Sequence, residues 1–379
     1  MTLAGLSRAQ HENHETEKKC VEMLVANTVA PKTTVMEDRP APKVERDKIQ
    51  VRVHFVAVCG TDLHVWDDSY VTTLPVVQGH EFSGVVEAIG ADVVTDLKVG
   101  QPVGVNPTST CGECYPCRIG RYNCCTSLKC IGCWAGKPGA GVSTDAPGGM
   151  RELVNMPPKQ VFALPDGLPL DIAALGEPMG VATQAVNRGT PASGEAALVI
   201  GAGPIGVLAT IALKDRGLRV VVADADANRA KASLSFGADD YLVAGSDFPS
   251  SADMAKLSAF GGRDGIPLII EATGVPSCGA AAVNIVSPAG RIVEVGISQR
   301  PVPVPINLLA LKEVTILGSR NHHGLPEALE TLNRHREEAR KLITHYFDIE
   351  QANEAYAMIE AHDEPVGKVV FRMPAAQQK

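Results

Sequence analysis

Aromatic side chains are scarce in this sequence. Eight Phe, six Tyr and two Trp make up 4% of 379 residues. So few rings weakly favour a polar small-molecule ligand over a bulky aromatic one. Positive charge is also short: 35 Lys and Arg stand against 43 Asp and Glu, for a net charge of -8. That balance argues against broad binding to nucleic acid or to anionic membranes. No apolar run is long enough to cross a bilayer. The first residues, MTLAGLSRAQHENHETEKK, lack the hydrophobic core of a secretory signal. The expectation is a cytoplasmic protein with reduced thiols. Hydrophobic residues at 45% and charged residues at 21% suit a globular chain. Its length suggests two domains.

What is present in quantity is cysteine, unevenly spread. Residues 111–125 read CGECYPCRIGRYNCC, with five cysteines in fifteen positions. In a reducing compartment such density points to metal rather than disulfides. Cys111, Cys114 and Cys117, with Cys125 or Cys124, have the spacing of a closed tetrahedral zinc site. Cys130 and Cys133 form a second CxxC that could compete. No Lys/Arg-rich recognition helix follows, so a nucleic-acid finger is not expected.

Residues 1–19 are polar and without periodicity, and they read as a mobile tail. From about 21 to 175 the signals are short strands and turns: IQVRVHFVAV, FSGVVEAIG and QPVGVNP. Near 195 the pattern changes to the alternating helices and strands of a doubly wound parallel sheet, giving an α/β fold with a mostly β partner domain. The stretch 321–379 carries amphipathic helices and a last strand, KVVFRM.

Gly201, Gly203 and Gly206 form G-x-G-x-x-G between the strand AALVI and an apolar helix, the context that a dinucleotide site requires. Pro204 opens that helix, where a missing N–H costs little. The pyrophosphate of a cofactor would lie on the helix N-terminus. Asp224 ends the next strand. A carboxylate there accepts ribose hydroxyls and repels the extra phosphate of NADP, so NAD is the expected cofactor.

Three further segments, CGTDLH (59–64), GHE (79–81) and GEPMG (176–180), are ordinary separately. Together, Cys59, His80 and a carboxylate would make a three-ligand zinc site with an open position, the catalytic arrangement. In this order, CGTDLH, GHEFSGVVEAIG, CGECYPCRIGRYNCC, GEPMGVA, GAGPIG, EATG and LITHYFDI resemble the zinc-dependent medium-chain dehydrogenase/reductase superfamily over residues 21–373. The likeness is to its polyol and sugar-acid branch, which includes sorbitol, threonine and L-galactonate/L-gulonate 5-dehydrogenases.

The resemblance implies a GroES-like catalytic domain over 20–180, a structural zinc lobe at 108–127, a Rossmann NAD-binding domain over 181–320, and a return of 321–379 to the catalytic domain. It implies two zincs per chain. Cys59, His80, Glu81 and Glu177 match the catalytic-zinc positions, and the register favours Cys125 as fourth ligand of the structural zinc. Thr61 matches the hydroxyl that receives the substrate proton, His64 its relay to solvent, and Asp62 a carboxylate beside the ligands. Ile205, Arg229 and Arg320 join the glycine turn and Asp224 as expected cofactor contacts. Arg320 and Asn321 fall where the branch lines the nicotinamide and substrate; His322 and His323 are further candidates for substrate contact, with surface residues as the alternative. The implied activity is oxidation of a secondary alcohol by hydride transfer, in a homo-oligomer, dimer or tetramer. An NADP-linked glucose or ketone reductase is the alternative within the superfamily, and a non-catalytic protein keeping only the structural zinc is the alternative outside it. Gln184 stands where the family commonly has His, Met150 where it commonly has an aromatic, and the loop 129–147 is longer than typical.

Overall fold

A computed structural model describes residues 22–69, 72–132, 147–298, 300–322, 324–363 and 365–377. The tail 1–19, Cys133, Trp134, His323 and most of the loop 129–147 lie outside the described residues.

The chain opens with a hairpin, β1 (Glu22–Ala30) and β2 (Thr33–Pro40). Next come β3 (Ile49–Ala57), β4 (Glu81–Ile89), β5 (Pro102–Val105), the short pair β6 (Thr108–Ser109) and β7 (Lys129–Cys130), β8 (Leu153–Met156) and β9 (Val161–Ala163). In β3, Ile49, Val51 and Val53 are fully buried, as alternation dictates. A bulge against β4 between Val53 and Phe55 shifts the phase, so Val56 and Ala57 are buried too.

The second sheet holds β10 (Ala196–Ile200), β11 (Arg219–Asp224), β12 (Asp240–Val243), β13 (Leu268–Glu271), β14 (Arg291–Glu294) and β15 (Thr315–Gly318). Its order is β12-β11-β10-β13-β14-β15, all parallel. The order reverses between β10 and β13, which places a ligand crevice at the carboxyl ends of those strands. Every residue of β10 is buried, as expected for a strand covered by helices on both faces.

Residues after β15 return to the first sheet. The apolar periodicity of LPEALETLNRHREEARKLI forms two helices, Leu325–Arg334 and Arg336–Leu342, broken at His335. Then β16 (Ile343–Asp348) and β17 (Lys368–Arg372) complete the order β16-β17-β3-β4-β5-β9, with β8 also on β3. Five helices matter for the site: α1 (Gly60–Trp66), α2 (Tyr115–Arg118), α3 (Leu170–Ala173), α4 (Gly176–Arg188) and α5 (Pro204–Asp215). One core cluster joins α4, α5 and the helix Leu325–Arg334 with Ala57 and Val370 of the first sheet, so the two halves share apolar packing.

Candidate active site

At the turn after β10, Gly201 has φ +103°, a conformation glycine adopts without strain. A Cβ on Gly206 would sit 1.8 Å from the Gly201 carbonyl oxygen, so only glycine lets α5 begin this close to the strand. Gly203 caps that helix and Pro204 is its first residue, with half-buried Ile205 next. Asp224 ties the turn to the end of β11: its Oδ2 accepts the Ala202 N–H at 2.6 Å and its Oδ1 accepts the Asp226 N–H at 2.8 Å. A cavity of about 380 Å³ borders this turn, lined by Gly203, Pro204, Asn228, Arg229, Lys341 and Val366 among others. It is bounded by the Rossmann turn on one side and the returning C-terminal segment on the other.

The turn from β3 into α1 positions the second group. Cys59 caps α1, and Asp62, three residues on, reaches back to accept the Cys59 N–H at 2.9 Å. β4 starts with Glu81, directly after His80. Ligand atoms of Cys59, His80 and Glu81 all lie within 4.8 Å of one another. Thiolate, imidazole and carboxylate are the donor types of a catalytic zinc with an open position. Asp62 Oδ1 lies 3.7 Å from His80 Nδ1, which leaves Nε2 for a metal. Burial alone would push His80 down. The negative charges of Asp62, Cys59 and Glu177 outweigh it and hold His80 well above its usual range. A dication would take the place of that proton. Thr61 Oγ1 is 3.6 Å from Cys59 Sγ, at the rim of the group. His64, one turn further along α1, is exposed, and its Nδ1 meets Ser69 Oγ at 2.8 Å.

Two features around this group change its electrostatics. Lys368, from the start of β17, is only 4% exposed, and its Nζ donates to both oxygens of Glu81 at 2.7 and 2.5 Å and to the Val58 carbonyl at 2.9 Å. Burial disfavours the ammonium, but Glu81 and Cys59 more than compensate, and the Lys368 pKa is raised. The sequence reading missed this lysine. Its only signal was a cation opening an otherwise apolar strand.

Glu177, in the first turn of α4, lies outside the 4.8 Å donor group. Burial pushes its carboxyl up to about 7, against the opposing charge of His80. His322 is 1% exposed and its Nε2 lies 3.9 Å from Glu177 Oε1. Its ring lies against α4, where a Cβ at Gly180 would come within 2.6 Å of it.

The cysteine lobe stands apart. Cys111, Cys114, Cys117 and Cys125 bring their sulfurs within 4.8 Å of one another, while Cys124 is exposed. Neighbouring sulfurs are 3.4, 3.5 and 3.8 Å apart. Four sulfurs at zinc–thiolate distance form a tetrahedron with edges of about 3.8 Å. Hydrogen bonds from the Thr126 and Cys117 backbone lower the Cys114 thiol to about 6, toward the thiolate that a metal requires. The lobe's own apolar cluster is Cys117, Cys125 and Leu128, too little to hold it. It touches the segment after β15 where Asn123 Nδ2 donates to the Arg320 carbonyl at 2.6 Å. Arg320 and Gln184 border a cavity beside this lobe. Met150 is 1% exposed and packs in the core of the first sheet.

A mostly β domain carrying a thiolate–imidazole–carboxylate group and a four-cysteine lobe, joined to a Rossmann sheet, defines a class. The alcohol dehydrogenase GroES-like domain model matches residues 45–166, and the zinc-binding dehydrogenase model matches residues 204–338. The chain belongs to the zinc-dependent medium-chain alcohol dehydrogenase family, in its polyol branch. Among its relatives is the starvation-sensing protein RspB of Escherichia coli, 32% identical over 90% of this chain and 96% of that protein. The D-xylulose reductase of Scheffersomyces stipitis is 31% identical over 86% of this chain and 92% of its own. A crystal structure of E. coli rspB complexed with NADH superposes with a TM-score of 0.81 at 31% identity, covering 93% of this chain and 99% of that one. Among the described residues no helix is long and apolar enough to cross a membrane.

Proposed function

We propose that this protein is an NAD-dependent zinc dehydrogenase that oxidises a secondary alcohol of a polyol, sugar acid or hydroxy amino acid to the ketone. The observation that carries this reading is the Cys59–His80–Glu81 donor group with Thr61 at its rim. Such oxidation removes a hydride from the carbinol carbon and a proton from its hydroxyl. When bound, zinc would supply the Lewis acidity that makes the hydroxyl acidic, and NAD would be the hydride acceptor. The chain's residues hold the groups and move the proton. Cys59, His80 and Glu81 would hold the catalytic metal, with Glu177 beside them; Cys111, Cys114, Cys117 and Cys125 would hold the structural one. Thr61 Oγ takes the substrate proton, and exposed His64, one turn along α1, passes it to water. Asp62 keeps the His80 ring in orientation.

NAD is favoured over NADP by Asp224, whose carboxylate would repel a ribose phosphate, and by the NADH in the rspB relative. Arg229, Ile205 and Arg320 would help to hold the cofactor. A cytoplasmic homo-oligomer is the expected form. Ile316 on the outer edge of β15 and Ile306 and Leu311 beside it are 40%, 71% and 79% exposed, an apolar edge that a second copy would cover.

The test is NADH formation by protein carrying two zincs per chain, against polyols, aldonates, threonine and simple secondary alcohols. Turnover of one class supports the reading and names the substrate family. One zinc per chain with no turnover, unchanged on altering Cys59, would sink it.

A further inference from the structure

The apolar run that leads into GHE, at VVQ, ends on one polar side chain. That side chain, Gln78, is 2% exposed, and it joins the two segments that supply the metal-binding group. Its Nε2 donates to the Asp62 carbonyl at 2.8 Å. Its Oε1 accepts the Thr28 hydroxyl at 2.7 Å. A carbonyl only accepts, so the amide has a single orientation here. Thr28 commits its one hydroxyl hydrogen to Gln78, so Thr34 donates in turn to Thr28, at 3.0 Å. The result is a directed chain from Thr34 through Thr28 and Gln78 to Asp62, and all four residues are buried.

Both ends of this chain are held. Asn353 comes from the helix Ala352–Ala361 of the returning segment. Its Oδ1 accepts the Thr34 N–H at 2.8 Å and the Trp66 indole N–H at 3.1 Å, and its Nδ2 donates to the Thr34 carbonyl at 2.7 Å. At the other end Asp62 shares a turn with Cys59. The Asp62 N–H donates to the Cys59 carbonyl at 3.0 Å, and the Asp62 carboxylate accepts the Cys59 N–H at 2.9 Å. Thr28 and Val76 exchange two backbone hydrogen bonds of 2.9 Å, which hold β1 against the residues leading to Gln78. His80 follows Gln78 by two positions. One amide thus ties the Cys59 turn to the His80 segment.

Stability alone does not call for these links. Replacing hydrogen-bonded partners together by apolar groups of the same shape can be nearly neutral. A fully satisfied buried chain contributes something else, a single fixed geometry. We propose that Gln78 is a positioning residue: with Thr28 and Thr34 behind it, it sets the Cys59 turn against His80 and so fixes the donor spacing of the metal-binding group. This rests on the reading that Cys59, His80 and Glu81 hold a metal.

The experiment loads the full-length protein with an NMR-active cadmium isotope and records the metal spectrum. Wild type should give two resonances, one from the four thiolates of the lobe and one from the mixed group. Thr28→Val keeps the side-chain shape and removes the hydroxyl. It should move the mixed-group resonance and weaken metal there by about tenfold in chelator competition, with the lobe resonance and circular dichroism unchanged. Thr28→Ser keeps the hydroxyl and should match wild type. Gln78→Leu should act at least as strongly as Thr28→Val; if it does not fold, the two Thr28 variants decide. The proposal is overturned by an unmoved mixed-group resonance with unchanged affinity in Thr28→Val, by Thr28→Ser disturbing that group as much as Thr28→Val, or by loss of both resonances together. A wild type with the lobe resonance alone overturns the dehydrogenase reading as well. A mixed-group resonance indifferent to these substitutions overturns only the positioning role.

Discussion

Cys111, Cys114, Cys117 and Cys125 come from fifteen consecutive residues, whereas Cys59, His80 and Glu81 come from a strand–helix turn and the start of another strand. The lobe is bounded by water: Cys111 is exposed and Cys114 half-buried. The second group is surrounded by buried charge, with Asp62 behind His80, Lys368 on Glu81 and Glu177 facing His322. Four thiolates close a tetrahedron and leave no position for a substrate; three mixed donors leave one open. The difference teaches that stability of a metal loop needs only local ligands, while chemistry at a metal needs a fold to arrange charge around it.

The comparison breaks most sharply at His80. His80→Ala should lower kcat/KM by about 10³-fold, roughly 4 kcal/mol of transition-state stabilisation, in steady-state assays of NADH formation. One zinc per chain should remain, in the lobe, by elemental analysis. Retention of both zincs and full activity would erase the distinction between the two groups.

Lys368→Met should cost about 3 kcal/mol or more in chemical denaturation, because it strands the buried Glu81 carboxylate. The lobe should keep its metal, so the loss would sit wholly on the second group. An unchanged denaturation midpoint would mean that Glu81 does not depend on the lysine.

Cys117→Ser gives the reverse experiment. It should release one zinc, speed proteolysis within 111–125, and lower stability by roughly 2 kcal/mol, while His80-dependent chemistry persists in the folded fraction. Equal loss of both zincs would show that the groups are coupled.

The smallest effect comes from a carboxyl outside both groups. Burial and the neighbouring Glu271 push Glu294 up to about 7, from its ordinary 4.5. A raised carboxyl holds its proton in the folded state, so its stabilising contribution is full below pH 4.5 and is lost as pH rises through 7. Glu294→Gln should flatten that decline and stabilise the protein at pH 8 by about 1 kcal/mol, allowing for solvent screening. Thermal denaturation across pH checks it; identical slopes in both proteins would refute it.

Much of the frame was legible from the chain. The apolar β10 run, the glycine turn and Pro204 stated a Rossmann sheet because each obeys a local rule of strand burial, backbone freedom or helix start. Alternation in β3 was only partly readable, since the bulge at Val53–Phe55 depends on its partner strand. The apolar periodicity of 325–343 splits into two helices at His335, a position that no proline or glycine announces.

By itself the sequence determined three cysteines of the lobe, the dinucleotide turn and the donor types of the second group, and left the fourth cysteine between Cys124 and Cys125. Ligand spacing, glycine conformation and side-chain chemistry are properties of neighbouring residues. The tertiary structure alone decided that Lys368, 287 residues from Glu81, would neutralise it, and that Glu177 would face His322. Those relations carry no local signature. They arise because the C-terminal segment returns to the first sheet and α4 runs between the two halves, and only a folded chain brings such charges within reach of one another.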